Sequence, residues 1–448
     1  MRKFAIALAI SSLPLGLVSG QNCANTSVGF TPLNDLGAGT YQSFQGGLYP
    51  GGSNQRPIAH EVGGLAQAAR VVPRDAAGAI DIANGKIGFI SIGMSNASIH
   101  FSGLMQVAAA DALKSPRVVL SNCAQGGQPA ATIANPSASY WTTWVPSRLA
   151  QAGLTAAQVQ VVWFLEANAG PTEAFPQDAL TLQSQFTAIM GIVRANYPNA
   201  RLCYGAARIY AGYATSTLNP EPYAYQQGFA VKWLIEDQIN GNPALNFDPA
   251  KGSVNAPWLA WGPYMWADGL TPRSDGLTWT CPEDFNADGT HPSAQGAAKN
   301  AGFLINFLHT DSTAQSWYLG RPNPVVFGTG KLTSIGSTPS IGWSGTAEIA
   351  LNQLQVQLTG AVPGKPVIAL WAHQPAFLPF MNAALYLGAP IQRLPPRILD
   401  GTGSASYSIP LNPAMSGTTR DYQFWFRDPL QLDGTGAGLS NALQVRFY

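Results

Sequence analysis

Between Ile80 and Phe307, short β-branched runs alternate with longer stretches of helical periodicity, and a chain with that rhythm folds as a parallel sheet flanked by helices. Four runs read as strands: Ile87 to Ile92, Arg117 to Asn122, Val159 to Leu165 and Arg201 to Tyr204. They are largely apolar rather than alternating, which implies burial on both faces. Between the last two, Leu182, Phe186, Ile189 and Val193 fall at i, i+4, i+7 and i+11, one face of a helix. Ala297, Ala301, Leu304 and Leu308 repeat those offsets and predict a second helix from Ala294 to Leu308.

After about Asp311 the pattern changes. A stretch rich in Ser, Gly, Pro and Thr leads into alternating or apolar segments such as Glu348 to Leu358, Pro366 to Trp371 and Tyr422 to Phe426, which predict a small β-sandwich. The expected organisation is a signal peptide (1–20), an N-terminal segment wrapping over the next unit (21–79), an α/β domain (80–311), a linker (312–330) and a sandwich-like all-β domain (331–448). The signal reading rests on Arg2 and Lys3 before the apolar stretch Phe4 to Val18 and the small residues Val18-Ser19-Gly20. That stretch is shorter than the roughly 20 residues a membrane span needs and contains Pro14, so secretion or periplasmic export is expected, with no membrane span after cleavage.

Charged residues make up 10% of the 448, against about 25% in an ordinary soluble protein. The formal net charge is +1. Removal of Arg2 and Lys3 leaves 22 basic against 23 acidic residues, or −1, so no field favours nucleic acid. Cys23, Cys123, Cys203 and Cys281 are too scattered for a C-x-x-C motif. In an oxidising compartment they allow one or two disulfides, with three possible full pairings, and Cys123 and Cys203 fit equally well as buried thiols.

Ser95, in Ile92-Gly93-Met94-Ser95-Asn96, directly follows the first strand, where open α/β sheets bind ligands. A serine hydroxyl needs a base to become a nucleophile. Asp288-Gly289-Thr290-His291-Pro292 supplies one, because an Asp three residues before a His can orient its ring and leave the other nitrogen facing a serine. His60, His100, His309 and His373 sit in no such setting and are expected to pack or cap locally. Asp284-x-Asn286-x-Asp288-Gly289 also matches the opening of a calcium loop, but Gln295 stands where such a loop needs a bidentate Glu, so no metal or other cofactor is expected. Two segments fit an oxyanion hole: Asn122-Cys123-Ala124-Gln125-Gly126-Gly127 after the second strand, and Asn168 after the third. Taken singly, each motif reads as an ordinary turn or cap. Together they follow successive strands and converge on one edge of the sheet.

This constellation resembles the SGNH (GDSL-type) hydrolase superfamily, whose four blocks carry Ser, Gly, Asn and Asp-x-x-His. Gly93-Met94-Ser95-Asn96 looks like the first block of the sialate and acetylxylan esterase branches, and Asn122-x-Ala124-x-Gly126-Gly127 is similar to the second block of carbohydrate acetylesterases. The resemblance covers about Ile87 to Leu308. It implies a flavodoxin-like three-layer α/β/α fold, Ser95 as nucleophile, His291 as base, Asp288 as its orienter, and oxyanion donors from Ser95, Gly127 and Asn168, with Gly126 as an alternative. The implied activity is removal of acetyl or another small acyl group from an acylated small molecule or polysaccharide. Met94, Glu166 and Ala169 depart from the family's usual residues. Glu166 and Arg208, near strand ends, are candidate polar substrate contacts. Trp163, Tyr210, Trp279 and Phe285 either stack on sugar rings or pack the core, with packing favoured. The competing function is a non-catalytic carbohydrate-binding or surface-assembly protein on the same fold; oligomeric state is left open.

Overall fold

A computed structural model describes residues 20–448. Residues 1–19, which carry nearly all of the expected signal segment, lie outside the described residues. The centre of the α/β unit is a sheet of five strands, β1 (Ile87–Gly93), β2 (Val118–Ser121), β3 (Val159–Leu165), β4 (Leu202–Gly205) and β5 (Trp258–Trp261). Their order is β2-β1-β3-β4-β5 and every neighbouring pair is parallel. The fifth strand went unread in the sequence because Trp258–Trp261 is only four residues long and follows a proline. All of β1, β3, β4 and β5 is buried, as continuous apolar runs require.

Five longer helices frame this unit: α1 (Ile58–Ala68), α2 (Ser95–Ala110), α3 (Gln177–Asn196), α4 (Tyr223–Ile239) and α5 (Ala294–Thr310). Phe101 of α2 stacks on Trp163, with ring centroids 6.1 Å apart, while Phe186 of α3 meets Phe164 edge-on at 4.9 Å. Adjacent residues of a strand point to opposite faces, so α2 and α3 cover opposite sides of the sheet. Helix α5 packs on α2 and α4 on α3, completing three layers.

Two expected segments are closely integrated with their neighbours. Residues 21–79 are built into the α/β unit, since Leu33, Tyr49, Ala68 and Val71 lie in its core, and they include α1, whose pattern was masked by Pro57 and Gly63-Gly64. Gly64 is needed there because a Cβ would sit 2.4 Å from the Trp258 ring. Residues 312–330 are structured rather than a spacer. Ala314, Trp317 and Tyr318 are buried in the α/β core, and β6 (Val325–Phe327) is the edge strand of a sheet in the second domain.

The C-terminal domain holds two antiparallel sheets whose inner faces share one core. Tyr407 from the smaller sheet packs against Phe424 of the larger at 5.7 Å and donates its hydroxyl to the Val367 carbonyl at 3.1 Å. A separate hairpin, β7 (Pro375–Phe380) and β8 (Ala383–Leu387), leans on α1. Val62 and Leu65 of α1 share a cluster with Val325, Phe327 and Tyr386, so the two domains are joined by apolar packing.

Cys23 and Cys281 form a disulfide that ties the N-terminal segment to the stretch just before Asp288, and Cys123 and Cys203 are buried thiols. Closing so long a loop restricts the unfolded chain, and Cys23→Ser combined with Cys281→Ser is expected to cost about 2–4 kcal/mol. Scanning calorimetry measures this directly: a melting temperature equal to that of the oxidised parent would contradict the bridge.

Candidate active site

The position of Ser95 is set by how β1 ends. Its last residue, Gly93, has φ +145°, and a Cβ there would lie 1.9 Å from the Leu165 carbonyl oxygen and 2.7 Å from Ala97 Cβ. Only glycine fits. The chain passes through extended Met94 straight into α2, so Ser95 is the first helical residue and its N–H has no partner in the preceding turn. It stands at the positive end of the helix dipole and beside β3, where the connections leaving the sheet reverse direction.

His291 reaches Ser95 from the loop before α5. Its Nε2 lies 2.6 Å from Ser95 Oγ, and its Nδ1 lies 2.5 Å from Asp288 Oδ2. In the arrangement that satisfies both contacts, Nδ1–H donates to Asp288 and Nε2 accepts from the serine hydroxyl. The other Asp288 oxygen accepts the backbone N–H groups of Thr290 and His291 at 3.1 and 3.0 Å. Burial by itself would raise the Asp288 carboxyl, but these bonds and the His291 ring outweigh it and hold the group below the usual carboxylate range. Gly289 makes the tight loop possible: its φ is +66°, and a Cβ would meet the Tyr213 carbonyl oxygen at 2.3 Å.

The loop is clamped from two sides. Arg208, at the end of β4, donates to Thr290 Oγ1 at 2.7 Å, and Asn96 of α2 donates to the Thr290 carbonyl at 3.3 Å. Thr290 was not singled out in the sequence, where nothing marks it except its place between Asp288 and His291. Ser91 was missed as well, though a lone serine inside an apolar strand was a usable signal. It is fully buried, donates to Asn122 Oδ1 at 2.8 Å and accepts the Cys123 and Ala124 N–H groups at 3.1 and 3.2 Å, which fixes the loop leading to Gly127.

Ser95 and His291 open onto a cavity of about 290 Å³ whose wall also includes Gly127, Leu165, Glu166 and Arg208. Gly127 has φ +72°, a left-handed conformation natural to glycine, and borders the cavity beside Ser95. Gly126 places its Cβ position 3.7 Å from Ser95 Cβ, an ordinary contact that does not demand glycine.

Asn168 departs from expectation. Its side-chain amide donates to Gln185 at 2.8 Å, its Oδ1 accepts the Ala131 N–H at 3.0 Å, and it is absent from the cavity wall. It ties the end of β3 to α3, and the wall behind Glu166 is formed by Ala167 and Ala169 instead. Trp163, Tyr210, Trp279 and Phe285 are all buried and none borders the cavity, so the packing alternative holds for all four. His60 and His100 are buried, and His309 pairs with Asp111 at 2.8 Å. The acids of the calcium-like segment are committed elsewhere: Asp284 to Lys299 at 2.5 Å, and Asp288 to His291.

Glu166 and Arg208, 1% and 3% exposed, are buried polar residues of the wall, as is Asn96. Burial pushes the Glu166 carboxyl well above its usual range, although the Ala167 N–H and Arg208 oppose this. Arg208 is pushed down to about 10 by burial and stays charged at neutral pH. Glu166 Oε1 accepts the Ala167 N–H at 2.8 Å, whereas Oε2 and Arg208 Nε have no protein partner. The folded carboxyl titrates above its unfolded value of about 4.3, so Glu166 lowers stability progressively as pH rises past about 4.3. Glu166→Gln is therefore expected to melt higher than the parent at pH 8 and equally at pH 4, in paired denaturation curves. Parallel curves at the two pH values would show an ionised Glu166.

No protein-family model matches the sequence, and no curated protein sequence matches it. Among solved structures, a presumed acylhydrolase of Bacteroides fragilis is similar at 12% identity over 55% of this chain and 94% of its own, with a TM-score of 0.31. The periplasmic domain of the lipopolysaccharide acetyltransferase of Salmonella ser. Paratyphi A is similar at 17% identity over 56% and 93%, with a TM-score of 0.27. Scores this low do not establish a shared fold.

Proposed function

We propose that this protein is an exported serine ester hydrolase of the SGNH type that removes a short acyl group, acetyl foremost, from a carbohydrate. The observation that carries the reading is the continuous hydrogen-bond chain Ser95 Oγ to His291 Nε2 and His291 Nδ1 to Asp288, at 2.6 and 2.5 Å. It is the arrangement a serine nucleophile needs: a base in contact with the hydroxyl and a carboxylate holding that base in its working tautomer.

In the proposed reaction Ser95 Oγ attacks the ester carbonyl as His291 takes its proton. Negative charge collects on the carbonyl oxygen, next to the unpaired N–H of Ser95 at the start of α2 and the Gly127 backbone. Collapse of this intermediate expels the alcohol, which receives the proton from His291. Water, deprotonated by the same imidazole, then releases the acid and frees Ser95. Asn168 already commits one amide hydrogen to Gln185, so the Ser95 and Gly127 backbone groups are proposed as the principal oxyanion donors, with the second Asn168 amide hydrogen as a further one. A cavity of about 290 Å³ with a mainly apolar lining suits a short acyl chain. Arg208, Glu166 and the Gly126 edge are proposed as polar contacts to the sugar. The Cys23–Cys281 disulfide supports an oxidising, extracytoplasmic location.

The reading is tested with p-nitrophenyl acetate and a fluorophosphonate probe on the mature chain. Turnover and labelling are both expected in the parent, with turnover falling about 10⁴-fold or more in Ser95→Ala and labelling lost. Asp288→Asn is expected to lower kcat by about 10³–10⁴-fold while the protein still melts cooperatively. A folded parent that neither turns over nor labels would exclude the nucleophile and leave the carbohydrate-binding reading in its place.

A further inference from the structure

A large cavity lies away from Ser95. It holds about 840 Å³ between the two domains and shares no lining residue with the Ser95 cavity. Its walls differ in chemistry. One is aromatic: Phe377 from the β7–β8 hairpin rests against Tyr386 with ring centroids 6.0 Å apart and stays 44% exposed, and Phe327 meets the same tyrosine at 5.7 Å. Gly328 lets the Tyr386 ring lie flat against the backbone, since a Cβ there would stand 2.3 Å from the ring.

The first-domain side combines apolar surface from Tyr49, Trp261 and Phe307 with a polar cluster that is held in place. Arg56 binds Glu61 at 2.8 Å and is paired with Asp311, its Nη1 reaches Thr313 at 3.3 Å, and Ser312 donates to Glu61. The exposed amides of Asn54 and Gln55 continue that wall. One cation against two carboxylates gives the cavity a net charge of −1, which disfavours phosphate, sulfate or uronate ligands.

We infer that this interdomain cleft is a second ligand site, and that its ligand is a neutral saccharide. A pyranose ring presents an apolar C–H face to an aromatic side chain while its hydroxyls meet amides and fixed charged groups, and a cleft that combines aromatic rings with an ion-paired polar cluster matches both. The volume lies within the range of pockets that enclose small ligands. Phe377 is the exposed stacking surface, and the ion-paired wall supplies donors and acceptors already ordered before binding, so little entropy is lost on their account. A chain held here would keep a polymeric substrate near the protein and raise its local concentration at any other site on the same molecule. The inference does not depend on Ser95 being acylated.

The test uses the mature full-length chain carrying Ser95→Ala, titrated calorimetrically with neutral xylo-, cello-, manno- and chito-oligosaccharides of about two to four units and with an oligouronate of similar length. At least one neutral series is expected to bind with Kd below about 1 mM. The added substitution Phe377→Ala is expected to weaken that binding about tenfold without moving the melting temperature. The inference is overturned if no neutral series binds, if Phe377→Ala binds as tightly as its parent, or if the oligouronate binds as well as the neutral sugars. Fluorophosphonate labelling of the chain with Ser95 intact separates the two readings. Sugar binding without labelling leaves this site standing and removes the esterase; labelling without sugar binding does the reverse.

Discussion

The site is built on one close approach, that of Gly93 to the Leu165 carbonyl. β1 and β3 lie side by side up to their last residues, and the chain leaves β1 through a backbone position where any side chain would overlap its neighbour. That exit turns the strand into α2 within two residues. It places the Ser95 hydroxyl at the helix start, beside the carboxyl ends of β1 and β3. Had the chain left the strand more gradually, the helix would begin after Ser95, and its N–H and hydroxyl would not stand at the helix start facing the loop that carries His291.

Around that point, short-range bonds hold Ser95, His291 and Asp288 together against the entropy of three separate loops. Ser91 fixes the loop that ends at Gly127. Thr290 is gripped by Arg208 and Asn96, and Asp288 uses one oxygen for the backbone of its own loop and the other for the imidazole. Beneath the site, several buried polar atoms lack protein partners, among them both ring nitrogens of His100, Trp163 Nε1 and Glu166 Oε2. Burial lowers the His100 pKa to about 3, with Arg208 and His291 acting in the same direction, so that ring is neutral.

The second domain is attached through packing rather than through a tether. α1 lies between β5 on one side and the β7–β8 hairpin on the other, and the segment expected to be a linker supplies an edge strand to the C-terminal sheet. The junction therefore has fixed walls.

Much of the α/β unit was legible in the sequence because its signals are local. Continuous apolar runs identify strands buried on both faces, the recurrence of Leu182, Phe186, Ile189 and Val193 identifies a helix face, and an Asp three residues before a His can meet it within one turn. Shorter or masked elements were not legible: Trp258–Trp261 is too brief to show a pattern, and the glycines of α1 hide a helix whose role is to admit the Trp258 ring. The organisation of the sandwich was readable from alternation, whereas the fate of residues 312–330 was not, since Ser, Gly and Pro mark a linker and an edge strand alike. What the sequence by itself determined is the set of chemical groups and the strand ends that carry them. Only the tertiary structure decided that His291 meets Ser95 across 196 positions, that Asn168 turns to Gln185, that Cys23 finds Cys281, and that two domains enclose a cleft. Such contacts depend on loop closure and on competition among many possible partners, and neither is written in local spacing.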